Sequence, residues 1–547
     1  MGERVAEGTL ISRLVRTRSA KFAELLRRSG KVGNPTAMAT RTVRNALRSA
    51  PVAVPAALVG ALFSPLFLLV AAVPLGFVVA PQVRLSDLAA QRREGVEREL
   101  PFFAMIVSVL GGAGIPLYSI FRGVAKGDTF HWIGKEALMV KRDVEMLGMN
   151  ANDAFERLAS SHPSKKFSEF LLGYTSKARS GGDVPFYLVG ESGALLRGLE
   201  ESWARYTERA GIVGSMMITV FGVVPLLLMV VGVFSPGFSM FGLVVFTGLG
   251  VPVFTIGLLY MAGRMQPARE DAVQGRAGLA LALALSGALV DLATGLAWAG
   301  VAAALFVFFS AYGLSVRGQI AETKALDEGV SAFLKDLLEY KRQEYDLVRA
   351  IVAIEASGKY GERFSRLLSR VAAQLKAGVP LDEVRVECRS GLGRITFLLL
   401  GEMNRTGGGT VDTVYQISNF AGRLSGMKEN TGAEMKPYLI LSYISPLLLA
   451  FGITFVQGIL SSFSRRVAPG FSAFHVGGAQ LGALPPGLTQ ISDLLIIVAA
   501  ASLGLIGAKM TDFTVRNTLR ASVNVALAVA AVTLMAAFGA PSLSHLL

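Results

Sequence analysis

Long apolar stretches alternate with charge-dense ones along the chain. Apolar runs occupy 51–80, 211–233, 239–263, 277–313, 437–463, 489–508 and 521–540. Most match one membrane-crossing helix of about 20 residues. The run 277–313 is too long for one crossing, and a single helix would bury Asp291 in the hydrocarbon, at a cost of roughly 3 kcal/mol or more. Two short helices with Asp291 at the turn avoid that cost. The run 51–80 holds Ser64-Pro65 at its midpoint, and proline breaks the hydrogen-bond ladder of a helix interior. It also reads as a hairpin, though arms of about 22 Å leave a re-entrant hairpin as an alternative. The pattern predicts an all-α polytopic membrane protein with about nine transmembrane helices, two short hairpins included.

The polar stretches carry helical periodicity. Residues 1–50 form a basic N-terminal helical region with 11 Lys or Arg against 3 Glu. Leu10, Ile11, Leu14, Val15, Phe22, Leu25 and Leu26 fall on one face, and Arg13, Arg16, Lys21, Arg27 and Arg28 mostly off it. Such a helix docks a partner or lies on the membrane surface. Residues 81–210 read as a helical bundle, with Val96, Leu100, Phe103, Val107 and Leu110, then Leu117, Ile120, Phe121 and Val124, at helical spacing. Residues 314–436 repeat the plan with Phe333, Leu337, Leu338, Leu347, Ile351 and Ile354. These stripes read as bundle core.

The halves also match in detail. Pro225-Leu-Leu-Leu faces Pro446-Leu-Leu-Leu; Arg179-Ser180-Gly181-Gly182 faces Arg405-Thr406-Gly407-Gly408; the turn at Gly148 faces that at Gly378. Hairpin, soluble domain and two long helices (211–263, then 437–508 with an outer loop at 464–488) occur twice in the same orientation, and the helix 521–540 is extra. This is a parallel repeat.

Composition narrows the function. Of 547 residues, 52% are apolar and only 17% charged, against about 25% charged in soluble chains. A soluble enzyme and a disordered protein are both excluded. The single cysteine, Cys388, and the scattered His131, His162, His475 and His545 offer no metal spacing. No catalytic constellation or cofactor motif emerges, and an enzyme is not expected. With both hairpins in place, 52 of the 54 Lys and Arg share one side, and only Arg465 and Arg466 lie opposite. The positive-inside rule makes the rich side cytoplasmic, with the N-terminus and both soluble domains there.

Both soluble domains are nearly charge-balanced, 17 basic to 16 acidic and 18 to 16. That suits protein partners and argues against nucleic acid. Arg92-Arg93, Lys141-Arg142, Lys165-Lys166 and Lys341-Arg342 are solvated faces or contacts for an acidic partner. The Arg-Ser/Thr-Gly-Gly turns lack the Lys-Ser/Thr of a phosphate loop and read more economically as helix stops. Pro225 and Pro446 mark kinks or hinges. The membrane helices hold almost no ionisable group besides Asp291 and Asp493, which counts against ion transport.

The duplicated order, the Gly148 and Gly378 turns, the two Arg-Gly-Gly turns and the two Pro-Leu-Leu-Leu helices together resemble the type II secretion F-domain family. Its members are the GspF/PilC/TadC-like platform proteins of type IV pilus-like machines. The resemblance covers roughly 81–510. The short hairpins, the length and the terminal helix are similar to its archaeal branch, the archaellum and archaeal pilus platforms. It implies a cell-membrane base, expected as a homodimer, that binds a hexameric secretion ATPase and passes pilin- or archaellin-like subunits into a filament or turns it. It brings no catalytic residue, cofactor or metal. A parallel-repeat transporter is the alternative; it would need a polar pocket at mid-membrane.

Overall fold

The computed structural model describes residues 10–31, 33–45, 73–125, 130–234, 236–267, 275, 277–358, 360–406, 409–471 and 487–538. Among them every regular element is helical. Seven helical segments are long and apolar enough to cross a membrane: Val184–Val230, Phe241–Met265, Ala277–Thr294, Ala297–Arg342, Val411–Ile459, Leu488–Thr511 and Leu519–Ala537. The chain is an all-α multi-pass membrane protein. Most of the hairpin expected at 51–80 lies outside the described residues, and with it the two crossings that would make nine.

The chain divides into two compact units, residues 1–197 with 405–408, and 198–404 with 409–547. The first holds α1 (Leu10–Ser29), a helical stretch at 35–45, α2 (Val73–Gly112), α3 (Leu117–Val124), α4 (Trp132–Glu145), α5 (Ala151–Ser161), α6 (Lys165–Arg179) and the start of α7 (Val184–Ile218). Every residue named above for the stripes of 96–124 is buried. Phe103 sits at the centre, its ring 5.1 Å from Phe121, 6.1 Å from Phe130 and 6.3 Å from Phe170. Each such side chain removes from water an area worth about 2 kcal/mol or more.

Part of the apolar face of α1 is covered inside this unit. Phe22 and Leu26 are buried in one cluster with Ala39 and Leu85, and Val15, Leu25, Met38 and Leu88 pack around it. Arg16, Lys21, Arg27 and Arg28 stay exposed. A face packed in this way is not available along its whole length to a partner or a lipid surface.

The second unit continues α7 into a π-helical turn (Thr219–Val223) and α8 (Val224–Phe234). Next come α9 (Pro236–Val245), a second π-helical turn (Phe246–Gly250) and α10 (Val251–Met265). Pro225 and Pro252 each stand just after a π-helical turn. A proline has no N–H to give and crowds the carbonyl four residues back, and a widened turn relieves both. Pro446 lies inside α18 (Lys436–Phe471), which stays α-helical through it.

The apolar run 277–313 folds as α11 (Ala277–Ala284) and α12 (Ser286–Thr294), then reverses into α13 (Ala297–Arg342). The reversal is made at Gly295 (φ 66°), whose N–H donates to the Asp291 carbonyl at 2.8 Å. Asp291 therefore lies one turn before the bend, and it is exposed. The arms pack closely: a methyl group at Gly287 would fall 2.6 Å from the Gly300 carbonyl oxygen. At 46 residues, α13 runs about 69 Å, so the expected domain edge at 313 falls inside one helix. The edge expected at 210 likewise falls inside α7. Because α18 reaches Phe471, the outer loop expected from 464 opens as helix. Residues 472–486 lie outside the described residues.

Then come α14 (Leu347–Ser357), α15 (Glu362–Lys376), α16 (Gly391–Thr406), α17 (Val411–Glu434), α18, α19 (Leu488–Thr511) and α20 (Leu519–Phe538). Helix α19 is the most enclosed span, with 72% of its apolar window buried, and it touches α10, α13, α18 and α20. It also extends past the apolar run 489–508, to Thr511. Lys509 is 1% exposed there, its Nζ donating to Gln266 Oε1 at 2.5 Å and to the Phe513 carbonyl at 3.1 Å.

The repeat is visible in geometry. Leu117 and Leu347, 230 residues apart, open α3 and α14. Gly114 (φ 82°) and Glu344 (φ 64°) stand at that same offset, as do Gly148 (φ 66°) and Gly378 (φ 87°). From Ser164 and Ser390 to Arg179 and Arg405 the offset is 226, and at Pro225 and Pro446 it is 221. Each serine hydroxyl accepts a backbone N–H of the helix it opens, from Phe167 at 3.3 Å and from Gly393 at 3.0 Å. Phe333, the match of Phe103, likewise meets a ring on the equivalent helix, Phe397 at 5.9 Å, one position past the match of Phe170. The offset changes where α5 stands in the first copy; residues 377–390 of the second hold no helix.

Candidate functional site

The Arg179 turn is a helix stop. Gly181 takes a φ of 66° and the Gly182 N–H donates to the Lys177 carbonyl at 3.0 Å, the bond pattern that closes a helix on a left-handed glycine. Arg179 reaches back to α5, with Asp153 at 2.6 Å and Glu156 at 2.8 Å. With the Gly182 N–H so engaged, the turn offers no phosphate cradle. The Gly378 turn closes α15 similarly, through Val379 N–H to the Gln374 carbonyl at 3.0 Å. Arg405 ends α16, and Gly407 and Gly408 lie outside the described residues.

The basic pairs named from sequence separate into different roles. Arg92 is not a surface residue. Its Nε and Nη2 donate to Glu136 Oε1 at 2.7 Å and Oε2 at 2.6 Å, with the two side chains 6% and 1% exposed. Its Nη1 donates to the carbonyls of Arg27 and Arg28, both at 3.1 Å, in the last turn of α1, where the Arg27 carbonyl also accepts the Gly30 N–H at 3.2 Å. Burial raises the Glu136 pKa, but the bonds from Arg92 and the facing His162 outweigh it and leave the carboxyl below its ordinary range. The His162 Nε2 is 3.7 Å away, and its Nδ1 accepts the Ser164 N–H at 3.1 Å. Arg92 thus joins α1, α2 and α4.

Arg93, Lys165 and Lys166 are exposed and have no ion pair among the described residues. Both lysines occupy the first turn of α6, where the helix dipole disfavours positive charge, so helix stability does not account for them. Lys141 faces Glu145 at 3.8 Å and Arg142 faces Asp143 at 2.7 Å. Lys341 is half-buried and Arg342 pairs with Glu339 at 2.9 Å.

Sequence reasoning missed two polar centres. The Glu99 carboxylate accepts the N–H groups of His131, Trp132 and Ile133, at 2.8 to 3.0 Å, and so caps α4 from another helix. Burial still leaves its pKa raised. In the second copy, Asp327 accepts from the Ser390 hydroxyl and from Lys428 at 3.1 Å. Among the described residues no three His, Cys, Asp or Glu converge as a metal site.

Residues 103–232 match the family model described as type II secretion system (T2SS), protein F. The chain carries a T2SS protein F domain. The match runs from within α2 to within α8, the first copy and the helix it leads into, so the F domain is the unit that the second copy duplicates without a counterpart of α5. An uncharacterized protein of Methanocaldococcus jannaschii is similar, 23% identical over 430 residues that cover 68% of this chain and 70% of that protein. No solved structure matches the chain.

Proposed function

We propose that this protein is the membrane platform of an archaeal type IV pilus-like filament machine, an archaellum or a pilus. It couples a cytoplasmic hexameric secretion ATPase to the assembly or rotation of a filament of pilin- or archaellin-like subunits. The observation that carries this reading is the F domain with its geometric duplicate, each copy leading into long apolar helices. The archaeal relative supports the branch. The charge asymmetry supports a cytoplasmic N-terminus and cytoplasmic domains. Function here is mechanical, and no catalytic residue, cofactor or metal is assigned.

In this reading Arg93, Lys165, Lys166 and Lys341 are the cations that meet the ATPase, with the paired Lys141, Arg142 and Arg342 beside them. Arg92 is excluded by its burial. The test is co-purification of the full chain, solubilised in detergent, with a hexameric secretion ATPase from the same organism. Lys165→Glu with Lys166→Glu should weaken binding about tenfold or more, since reversing a contact charge both removes attraction and adds repulsion. Absence of binding between a folded protein and a hexameric ATPase would refute the platform reading.

A further inference from the structure

A cleft of about 500 Å³ lies between α7 and the α17–α18 junction, within the second unit. Its charged lining residues are Glu200, Glu208 and Glu434, and neither lysine nor arginine lines it. Glu200 is neutralised by Arg423, whose Nε and Nη2 each donate to it at 2.6 Å. Glu208 and Glu434 are exposed and have no ion pair or hydrogen bond among the described residues. These two are the same position of the repeat, 226 residues apart, the offset of the Ser164–Ser390 and Arg179–Arg405 pairs. Each stands three residues before the apolar run that its helix enters, at 211 and at 437.

The rest of the wall is uncharged, with Trp203 and Tyr438 beside methionine, asparagine and small residues. Trp203 is 2% exposed, and its indole N–H has no acceptor. Tyr438 lies against Gly211 and Gly214, where a methyl group on Gly214 would fall 2.3 Å from its ring. The Thr207 and Thr431 hydroxyls bond across the cleft at 3.2 Å. Carboxylates beside Trp and Tyr, at the level where helices leave water for lipid, match a Lys or Arg at the end of an apolar helix.

We infer that this cleft docks the cationic cytoplasmic end of a single membrane-spanning helix, gripped by Glu208 from one copy and Glu434 from the other. The positive-inside rule gives such an end to inserted helices in general, and two equivalent carboxylates hold it without favouring either copy. The inference rests on the platform reading only in naming that helix as the filament subunit's.

The test uses the full chain in lipid nanodiscs and a synthetic apolar helix of about 20 residues ending in two lysines, with a photo-crosslinker beside them. A second peptide ends in two glutamates. The lysine peptide should label the wall near Tyr438. Its affinity should fall about tenfold in the Glu208→Gln, Glu434→Gln double variant and by less in each single variant. Glu208→Lys with Glu434→Lys should invert the preference between peptides. Equal binding of the two peptides, or no loss in the double glutamine variant, overturns the inference. ATPase co-purification is measured on the same preparations. ATPase binding without peptide preference removes the cleft assignment alone, whereas peptide preference without ATPase binding keeps the cleft and removes the platform reading.

Discussion

Replacing Arg92 with methionine should loosen the first unit without touching a docking surface. The Arg92 and Glu136 side chains are 6% and 1% exposed, so solvent screening does not discount their interaction. Removing one partner of a buried ion pair costs about 3–5 kcal/mol. Here protonation sets a ceiling. At pH 7 a carboxyl of ordinary pKa 4.5 can be neutralised for about 3.4 kcal/mol, at about 1.36 kcal/mol per pH unit. An opening penalty of that size raises local exposure roughly 300-fold. Hydrogen exchange of the full chain should show it in α4 and in the last turn of α1, whose carbonyls lose the Arg92 donors.

The pH dependence gives a second handle on the same variant. In the native protein the Glu136 pKa is lowered, so its contribution is present above the unfolded value and lost as pH falls through the folded one. In Arg92→Met the buried carboxyl has a raised pKa, so stability is present at low pH and lost as pH rises. From about pH 5 to 7 protection should therefore stay flat in the native protein and fall in Arg92→Met, and below the unfolded value of 4.5 it should fall with pH in the native protein only. Adding Glu136→Leu should recover more than half of the loss, because an apolar pair replaces a buried ion pair at little cost. Unchanged protection of α4 and α1 in Arg92→Met, or parallel pH profiles, would refute the reasoning.

Three further outcomes are expected. Glu344 holds a φ of 64° where its repeat partner is Gly114; Glu344→Gly should slow exchange around 340–347 about twofold, and Gly114→Ala should cost about 1 kcal/mol in thermal stability. Burial pushes the Cys388 thiol up to about 11 from 9.0, so its alkylation should run about 100-fold below that of an ordinary thiol at pH 8 and keep rising past pH 10. A methyl group on Gly504 would fall 2.4 Å from the Ala521 Cα; Gly504→Ala should force α19 and α20 apart and lower the thermal aggregation midpoint in detergent, by about 1–3 kcal/mol of stability.

Much of the fold was legible because its signals are local. Apolar runs and 3.6-residue stripes located the spans and the bundle cores, down to Phe103 and Phe333. The glycine turns at 148, 181 and 378 declared left-handed stops. What escaped depends on partners distant in the chain. Arg92 and Arg93 look alike in sequence, and only Glu136, on another helix, sets them apart. The cap on α4 comes from Glu99 of α2, with α3 between them in the chain. A single helix runs from an apolar stretch into a polar one in α13, and no cap or breaker in the sequence marks the water–lipid boundary there. The absence of a helix matching α5 in the second copy left only a change of offset between Gly378 and Ser390.

That absence bears on the proposed machine. Arg179 clamps two acids of α5, and the second copy has no such helix for Arg405 to meet in the same way. The positions matching Lys165 and Lys166 are Gly391 and Leu392, and Leu392 is 2% exposed. A partner that recognises the start of α6 by charge therefore finds that surface in one copy. The second copy shares one compact unit with the membrane bundle, and α13 runs unbroken from its membrane hairpin into the second domain's core. Duplication of the fold is thus not duplication of the docking surface. Under the proposed function the first copy gives the motor the α6 contact, the second adds that of Lys341 at the end of α13, and the second also anchors the domains to the membrane. The cleft between α7 and α17, with its matched Glu208 and Glu434, is where the two halves still behave alike.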